Sequence, residues 1–156
     1  MNRLNINTFM TENEIDEGLI NAKSACVLVL NPSGDGSILA ITKRKEFENI
    51  GLPGGKIDLE VKETAKDAAV RECFEETGIL VEKSSLIPLY VGLGRTMISF
   101  TFFAQKIVGG KLHCMTREGL PMWVNAQALL RDECSYKHYN MKLFERLIKA
   151  GIPINT

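Results

Sequence analysis

Residues 54–79, GGKIDLEVKETAKDAAVRECFEETGI, carry the reading that decides the fold. From Thr64 to Thr77 no Pro or Gly interrupts the chain. Thr64 followed by Asp67 has the spacing of a capping box, and Gly78 stands where a helix stops. The spacing therefore predicts one amphipathic helix. At about 100° per residue, Glu72, Glu75 and Glu76 fall within roughly 100° of one another on a single face. Val70, Cys73, Phe74 and Thr77 are expected on the side that packs inward.

Three carboxylates at i, i+3 and i+4 repel one another by a few tenths of a kcal/mol per pair. Arg71 can offset part of this by pairing with Glu75 at i+4. The remaining negative charge suits a divalent cation. Mg²⁺ takes oxygen ligands, commonly a few carboxylates together with water and phosphate. Immediately upstream lies the turn Pro53-Gly54-Gly55-Lys56. Its glycines leave room for a ligand and allow a backbone carbonyl or amide to face the acidic helix. A Glu-rich face alone is most often solvated surface, and a glycine pair alone is most often a loop. The combination of turn, capped helix and the order Arg-Glu-apolar-x-Glu-Glu-x-Gly-apolar is far more specific.

At these residues the chain resembles the Nudix hydrolases, whose signature is G-x5-E-x7-R-E-U-x-E-E-x-G-U, with U a bulky apolar residue. Glu63 is followed by seven residues and then by Arg71-Glu72-Cys73-Phe74-Glu75-Glu76-Thr77-Gly78-Ile79. Two departures stand out. Cys73 is a weak fit to the first apolar position. Gly55 and Glu63 are separated by seven residues instead of five, which reads as a two-residue insertion around Leu59 to Lys62 and puts the loop's shape and the role of Glu63 in question.

The resemblance implies an α/β fold, an α/β/α sandwich with a mixed, curved β-sheet between helices. It implies water attack on phosphorus, assisted by Mg²⁺ or Mn²⁺, in a substrate where a diphosphate is linked to another group, most often within a nucleotide. Glu72, Glu75 and Glu76 would hold metal with the carbonyl of Gly54, and Arg71 would orient Glu75. The segment Arg117-Glu118-Gly119-Leu120-Pro121-Met122-Trp123 resembles the loop from which MutT-type enzymes send a Glu back to the metals. Glu118 matches that residue, so the general base is Glu72 or Glu118. Arg44, Gly55 and Lys56 are candidates for phosphate contact. Asn140, near the start of the last helix, is a candidate for reading a base. The implied substrate is a nucleoside di- or triphosphate. ADP-ribose or another dinucleotide or nucleotide sugar is the alternative, as is a domain that binds nucleotides without cleaving them.

Outward from this stretch, 156 residues suggest a single domain, with residues 1–21 as a possible N-terminal arm in which Thr11 and Glu14 could open a short helix. A hydrophobic content of 45% and a charged content of 24% are those of a globular protein. The formal net charge of zero argues against a nucleic-acid footprint or a polybasic membrane patch. No apolar run approaches the roughly 20 residues of a membrane span. Cys26, Cys73, Cys114 and Cys134 form no C-x-x-C pair, and the expectation is a reduced, cytoplasmic protein, monomeric or homodimeric, with a small nucleotide as its partner.

Strands are expected at Ala25–Leu30 and Ile38–Thr42, joined as a hairpin through the turn Asn31–Gly36, and again at Leu86–Val91, Ile98–Ile107 and Met122–Val124. Gly109-Gly110 reads as a turn. Short and long helices are expected near Ala126–Leu130 and Ser135–Ala150. His113 and His138 have no metal-ligand partners at suitable spacing and read as structural.

Overall fold

The computed structural model describes residues 4–155. Two strands explain its layering. β1 (Ser24–Val29) and β7 (Ile98–Ala104) pair in parallel, with Ala25 opposite Phe100 and Val27 opposite Phe102. Successive side chains of a strand leave on opposite faces. Ala25, Val27, Val29, Phe100 and Phe102 enter one core, while Leu28 and Phe103 enter another. A parallel pair that is apolar on both faces needs a covering layer on each. α1 (Glu12–Asn21) and α2 (Ala65–Thr77) cover the first face, and α3 (Lys137–Lys149) covers the second with Leu143, Phe144 and Leu147. The result is the expected α/β sandwich.

β4 (Gly54–Lys56) and β6 (Leu86–Leu93) flank the central pair, both antiparallel, in the order β4-β1-β7-β6. A second ladder runs β3-β2-β9 from Glu46–Gly51, Ile38–Lys43 and Pro121–Val124. A third joins β5 (Ile79–Val81) to β8 (Ile107–Gly110). The mixed sheet is thus divided among three ladders.

Several expectations are corrected here. The Asn31–Gly36 turn does not close a hairpin. Leu30 and Ile38 share one isolated bridge, and β2 then pairs with β3 and β9. Both edges of β1 are already taken by β4 and β7, so the chain crosses to another ladder. Gly109 and Gly110 lie within β8, opposite Leu80 and Ile79. On α2 the inward face is Ala65, Ala68, Ala69, Cys73 and Thr77, whereas Phe74 is 45% exposed and meets His113 edge-on at 6.2 Å. Small residues sit inward because the helix lies close to β1. α1 forms with the capping box between Thr11 and Glu14. Of the expected N-terminal arm, residues 1–3 lie outside the described residues, as does residue 156. The stretch 126–130 is a 3₁₀ turn, and α3 starts two residues later than expected.

Candidate active site

α2 is fixed at both ends. Thr64 Oγ1 accepts from the Asp67 N–H at 3.1 Å, and the Asp67 carboxylate accepts the Thr64 hydroxyl at 2.8 Å. At the other end Gly78 adopts φ 84°, and its N–H donates to the Phe74 carbonyl. Such caps satisfy groups that a helix end leaves open.

The inward-facing small residues let α2 set its carboxylates against β4. The Gly54 N–H donates to Glu76 Oε1 at 2.7 Å. A Cβ at Gly55 would lie 2.6 Å from the Glu72 carboxyl carbon, so the glycine is what admits Glu72 to the β4 backbone. Glu76 is only 8% exposed. Burial pushes its carboxyl up to about 8, the Gly54 N–H opposes this, and the charges of Glu72, Glu118 and Glu75 add to it. Glu72 is also raised, chiefly by burial, with Arg71 acting against the shift and Glu75 and Glu118 with it. Glu118 therefore lies within electrostatic reach of both helix carboxylates, more than forty positions away in sequence. Glu75 is exposed on the rim.

Arg71 binds this group together, with a partner order that differs from the expectation. Its Nε and Nη2 donate to the two oxygens of Glu63 at 2.7 and 2.9 Å. Nη1 reaches Glu72 Oε1 at 2.9 Å and Glu75 Oε2 at 3.3 Å, and Nη2 reaches the Lys56 carbonyl at 3.2 Å. The expected Glu75 pair exists but is the longest of these carboxylate contacts. The bidentate partner is Glu63, whose carboxyl is held below the usual range chiefly by the Arg71 hydrogen bond. The inserted residues do not disturb this. Asp58 N–H donates to Glu63 Oε1 at 2.9 Å, Glu63 N–H donates to the Asp58 carbonyl at 3.0 Å, and Lys62 N–H closes on Leu59 at 3.2 Å. The extra length bulges outward as a closed turn, with Lys62 at φ 56° and Leu59 and Val61 exposed.

Glu118 rides on a loop clipped to β2. The Leu120 N–H donates to Thr42 Oγ1 at 3.1 Å, and the Thr42 N–H donates to the Leu120 carbonyl. Gly119 sits at φ 146°, where a Cβ would collide with the Thr42 carbonyl. The glycine next to Glu118 is therefore dictated by close approach.

Beside β4 opens a cleft of about 260 Å³. Gly54, Gly55 and Lys56 form one side, the β6–β7 hairpin with Arg95 and Met97 another, and Tyr136, Tyr139 and Asn140 of the α3 start a third. Polar groups among its lining bond to one another: Thr101 Oγ1 and Tyr139 OH lie 2.8 Å apart, Tyr139 OH donates to the Ser99 carbonyl at 3.0 Å, and Cys26 Sγ lies 3.5 Å from Ser99 Oγ. Asn140 lines this cleft but is 2% exposed, and its Nδ2 donates to the Leu129 carbonyl at 3.1 Å. Arg44 lies on the exposed β2–β3 turn, outside the cleft lining. The sequence reading missed Tyr136 and Tyr139, although their i, i+3 spacing at a helix start would have placed them on one face.

Among the described residues, no three His, Cys, Asp or Glu side chains are drawn around a common point. The geometry gives the reason: Arg71 holds Glu72, and the Gly54 N–H holds Glu76. The donor set fits a hard divalent cation all the same. It is made of oxygens alone, and its charges raise one another.

An α/β sandwich that sets an acidic helix against a glycine turn at the lip of a cleft has the architecture of a Nudix hydrolase. The NUDIX domain model matches residues 21–142, and the chain belongs to that family. It is 31% identical over 117 residues to a MutT-like protein of Streptomyces ambofaciens, spanning 75% of this chain and 72% of the relative. A Bacillus subtilis (strain 168) protein named "Putative 8-oxo-dGTP diphosphatase" is 41% identical over 68 residues, 44% of this chain and 42% of that one. The fold is similar to a NUDIX-family hydrolase from Clostridium perfringens, with a TM-score of 0.61 at 18% identity, covering 83% of this chain and 97% of that one. The chain is a MutT-like Nudix hydrolase, of a family that generally uses a divalent metal and acts on small nucleotides. None of its described helices is long and apolar enough to cross a membrane.

Proposed function

We propose that this hydrolase is a nucleoside triphosphate pyrophosphohydrolase that depends on Mg²⁺ or Mn²⁺. The observation that carries the reading is the packing of Glu76 and Glu72 against the Gly54–Gly55 backbone, with Glu75 and Glu118 near enough for their charges to raise both carboxyls. The relatives described as MutT-like and as an 8-oxo-dGTP diphosphatase support the same class.

Glu72, Glu75, Glu76, Glu118 and the Gly54 carbonyl are the groups that would hold the metal, which supplies charge neutralisation on phosphate oxygens and a lowered pKa for attacking water. Arg71, gripped by Glu63, keeps Glu72 and Glu75 in register on the helix. Glu72 and Glu118 are the two groups placed to take a proton from the water. Lys56 and the Gly55 backbone guide the phosphate chain past the cleft lip, with Arg44 further out on its turn. Asn140 is buried and bonded to the Leu129 carbonyl, so only the remainder of its amide edge is left to read a base at the cleft end. The chain works as one domain, with residues 4–21 packed as part of it.

Chelation should abolish hydrolysis, and Mg²⁺ or Mn²⁺ should restore it. A nucleotide panel that includes an oxidised guanine analogue and ADP-ribose should release pyrophosphate from triphosphates. Full turnover in excess chelator, or turnover confined to ADP-ribose, would overturn the reading.

A further inference from the structure

We propose that Arg95 is a specificity-determining residue that pairs with a second phosphoryl group, carried on the ribose of the nucleotide substrate. The inference rests on the nucleotide reading above and deepens it. It starts from the charges of the cleft. No Asp or Glu belongs to its lining. The carboxylates of α2 meet β4 from the helix side, Glu76 at the Gly54 N–H and Glu72 at Gly55. The lining does hold two cations, Lys56 and Arg95. Neither has an ion-pair partner among the described residues.

The sheet sets these cations apart. Lys56 stands opposite Ser24, and Ser24 stands opposite Ser99. Two strand spacings, about 10 Å, therefore separate the backbone of Lys56 from that of Ser99. Arg95 lies beyond Ser99, on the turn that joins β6 to β7, which the Gly94 N–H closes by donating to the Met97 carbonyl at 2.9 Å. Its charge reaches the start of α3. Burial chiefly raises the Tyr136 phenol, Cys26 adds to this, and Arg95 works against it. Arg95 thus faces the cleft from across β1, on the rim away from Lys56. The phosphate chain accounts for Lys56, which adjoins the glycines where the carboxylates gather. It leaves Arg95 unmatched. A guanidinium without a partner draws an anion, and its planar fork fits a phosphoryl group with two parallel bonds. In a nucleotide whose 5′ phosphates lie beside Lys56, the ribose is the point from which a second phosphoryl group projects away from the first. A neutral base edge or an unmodified ribose leaves the charge unanswered.

The probes are a nucleoside 5′-triphosphate, the same nucleotide carrying a 2′- or a 3′-phosphate, and a 5′-triphosphorylated dinucleotide, whose second phosphoryl group is a diester. The wild type should show a KM about tenfold lower for at least one doubly phosphorylated probe than for the plain triphosphate, with kcat similar, because the added contact is remote from the reacting phosphorus. The probe that gains identifies the ester. Arg95→Ala and Arg95→Gln should erase the preference and leave the plain triphosphate within about twofold. Arg95→Lys should keep part of it, since the charge remains and the fork is lost. The preference should shrink as salt rises. Calorimetric titration of the metal-free protein with the matching nucleoside bisphosphate and with the 5′-monophosphate should place the Arg95→Ala loss in Kd on the bisphosphate alone. A wild type with no preference for any doubly phosphorylated probe, or an Arg95→Ala variant whose KM rises equally for plain and doubly phosphorylated nucleotides, would overturn the role of Arg95 and leave the nucleotide reading intact. A wild type that cleaves none of these nucleotides would overturn both.

Discussion

Glu76 shows how one side chain ties stability to function. A carboxyl 8% exposed and pushed up to about 8 keeps its proton in the folded state, whereas the unfolded chain releases it near the ordinary 4.5. Folding therefore takes up a proton, so the metal-free protein should lose stability as pH rises from 4.5 towards 8, by a few kcal/mol over the window. Glu76→Gln removes that dependence, because the amide oxygen can still accept the Gly54 N–H. The expected outcome is a variant that, without metal, melts higher than wild type at pH 8 and no differently at pH 4, and that has lost hydrolysis. Equal melting temperatures at pH 8 would show that Glu76 is solvated well enough to ionise freely. Arg71 poses the complementary case. Its three carboxylate partners make it a positioning residue, so Arg71→Ala should lower kcat. Arg71→Lys should rescue only partly, because an ammonium cannot form the two-pronged contact with Glu63. A Lys variant with full kcat would reduce the role to charge alone.

Among the elements, the loop that carries Glu118 is the most exacting. Its clip to Thr42 leaves no room for a side chain at Gly119. Gly119→Ala should push the loop off β2 and carry Glu118 away from Glu72 and Glu76. We expect kcat to fall towards the level of Glu118→Gln, with metal-free melting changed by about 1–3 kcal/mol equivalent at most. General acid–base groups commonly contribute about 10²- to 10⁴-fold, so Glu118→Gln itself should be slow on that scale if Glu118 is the base. A loss below about twofold in that variant would leave Glu72 as the base. The box loop behaves in the opposite way. Its Asp58–Glu63 closure absorbs the two inserted residues and still delivers Glu63 to Arg71. Length is tolerated there because the extra residues face solvent, whereas one methyl group is not tolerated where backbone meets backbone.

At the scale of the whole molecule, Arg146 fastens the N-terminal segment to the body. Its Nη1 donates to the carbonyls of Phe9 and Leu89 at 3.0 and 2.8 Å, its Nη2 lies 3.8 Å from Glu14, and the guanidinium sits 4.9 Å over the Tyr90 ring. Arg146→Ala should cost about 1.5–3 kcal/mol, and hydrogen exchange should accelerate over residues 9–21 while α2 stays protected. Uniform acceleration across the chain would mean that α1 does not open on its own. This long-range fastening was invisible beforehand, and the contrast with α2 explains why. A helix is held by bonds four residues apart and by caps three residues apart, so the sequence by itself determined α2, its acidic face, its stop at Gly78 and, with the spacing to Arg71, the family. Strand pairing and carboxylate repulsion act between residues that are far apart in the chain. Only the tertiary structure decided that β2 pairs with β3 and β9 and not β1, that Glu63 takes Arg71 with two bonds, and that Phe74 faces solvent. It likewise decided that Glu118 comes within reach of Glu76 and that Tyr136 and Tyr139 line one cleft with Gly54 and Gly55, because each outcome depends on which surfaces meet once the two cores have closed.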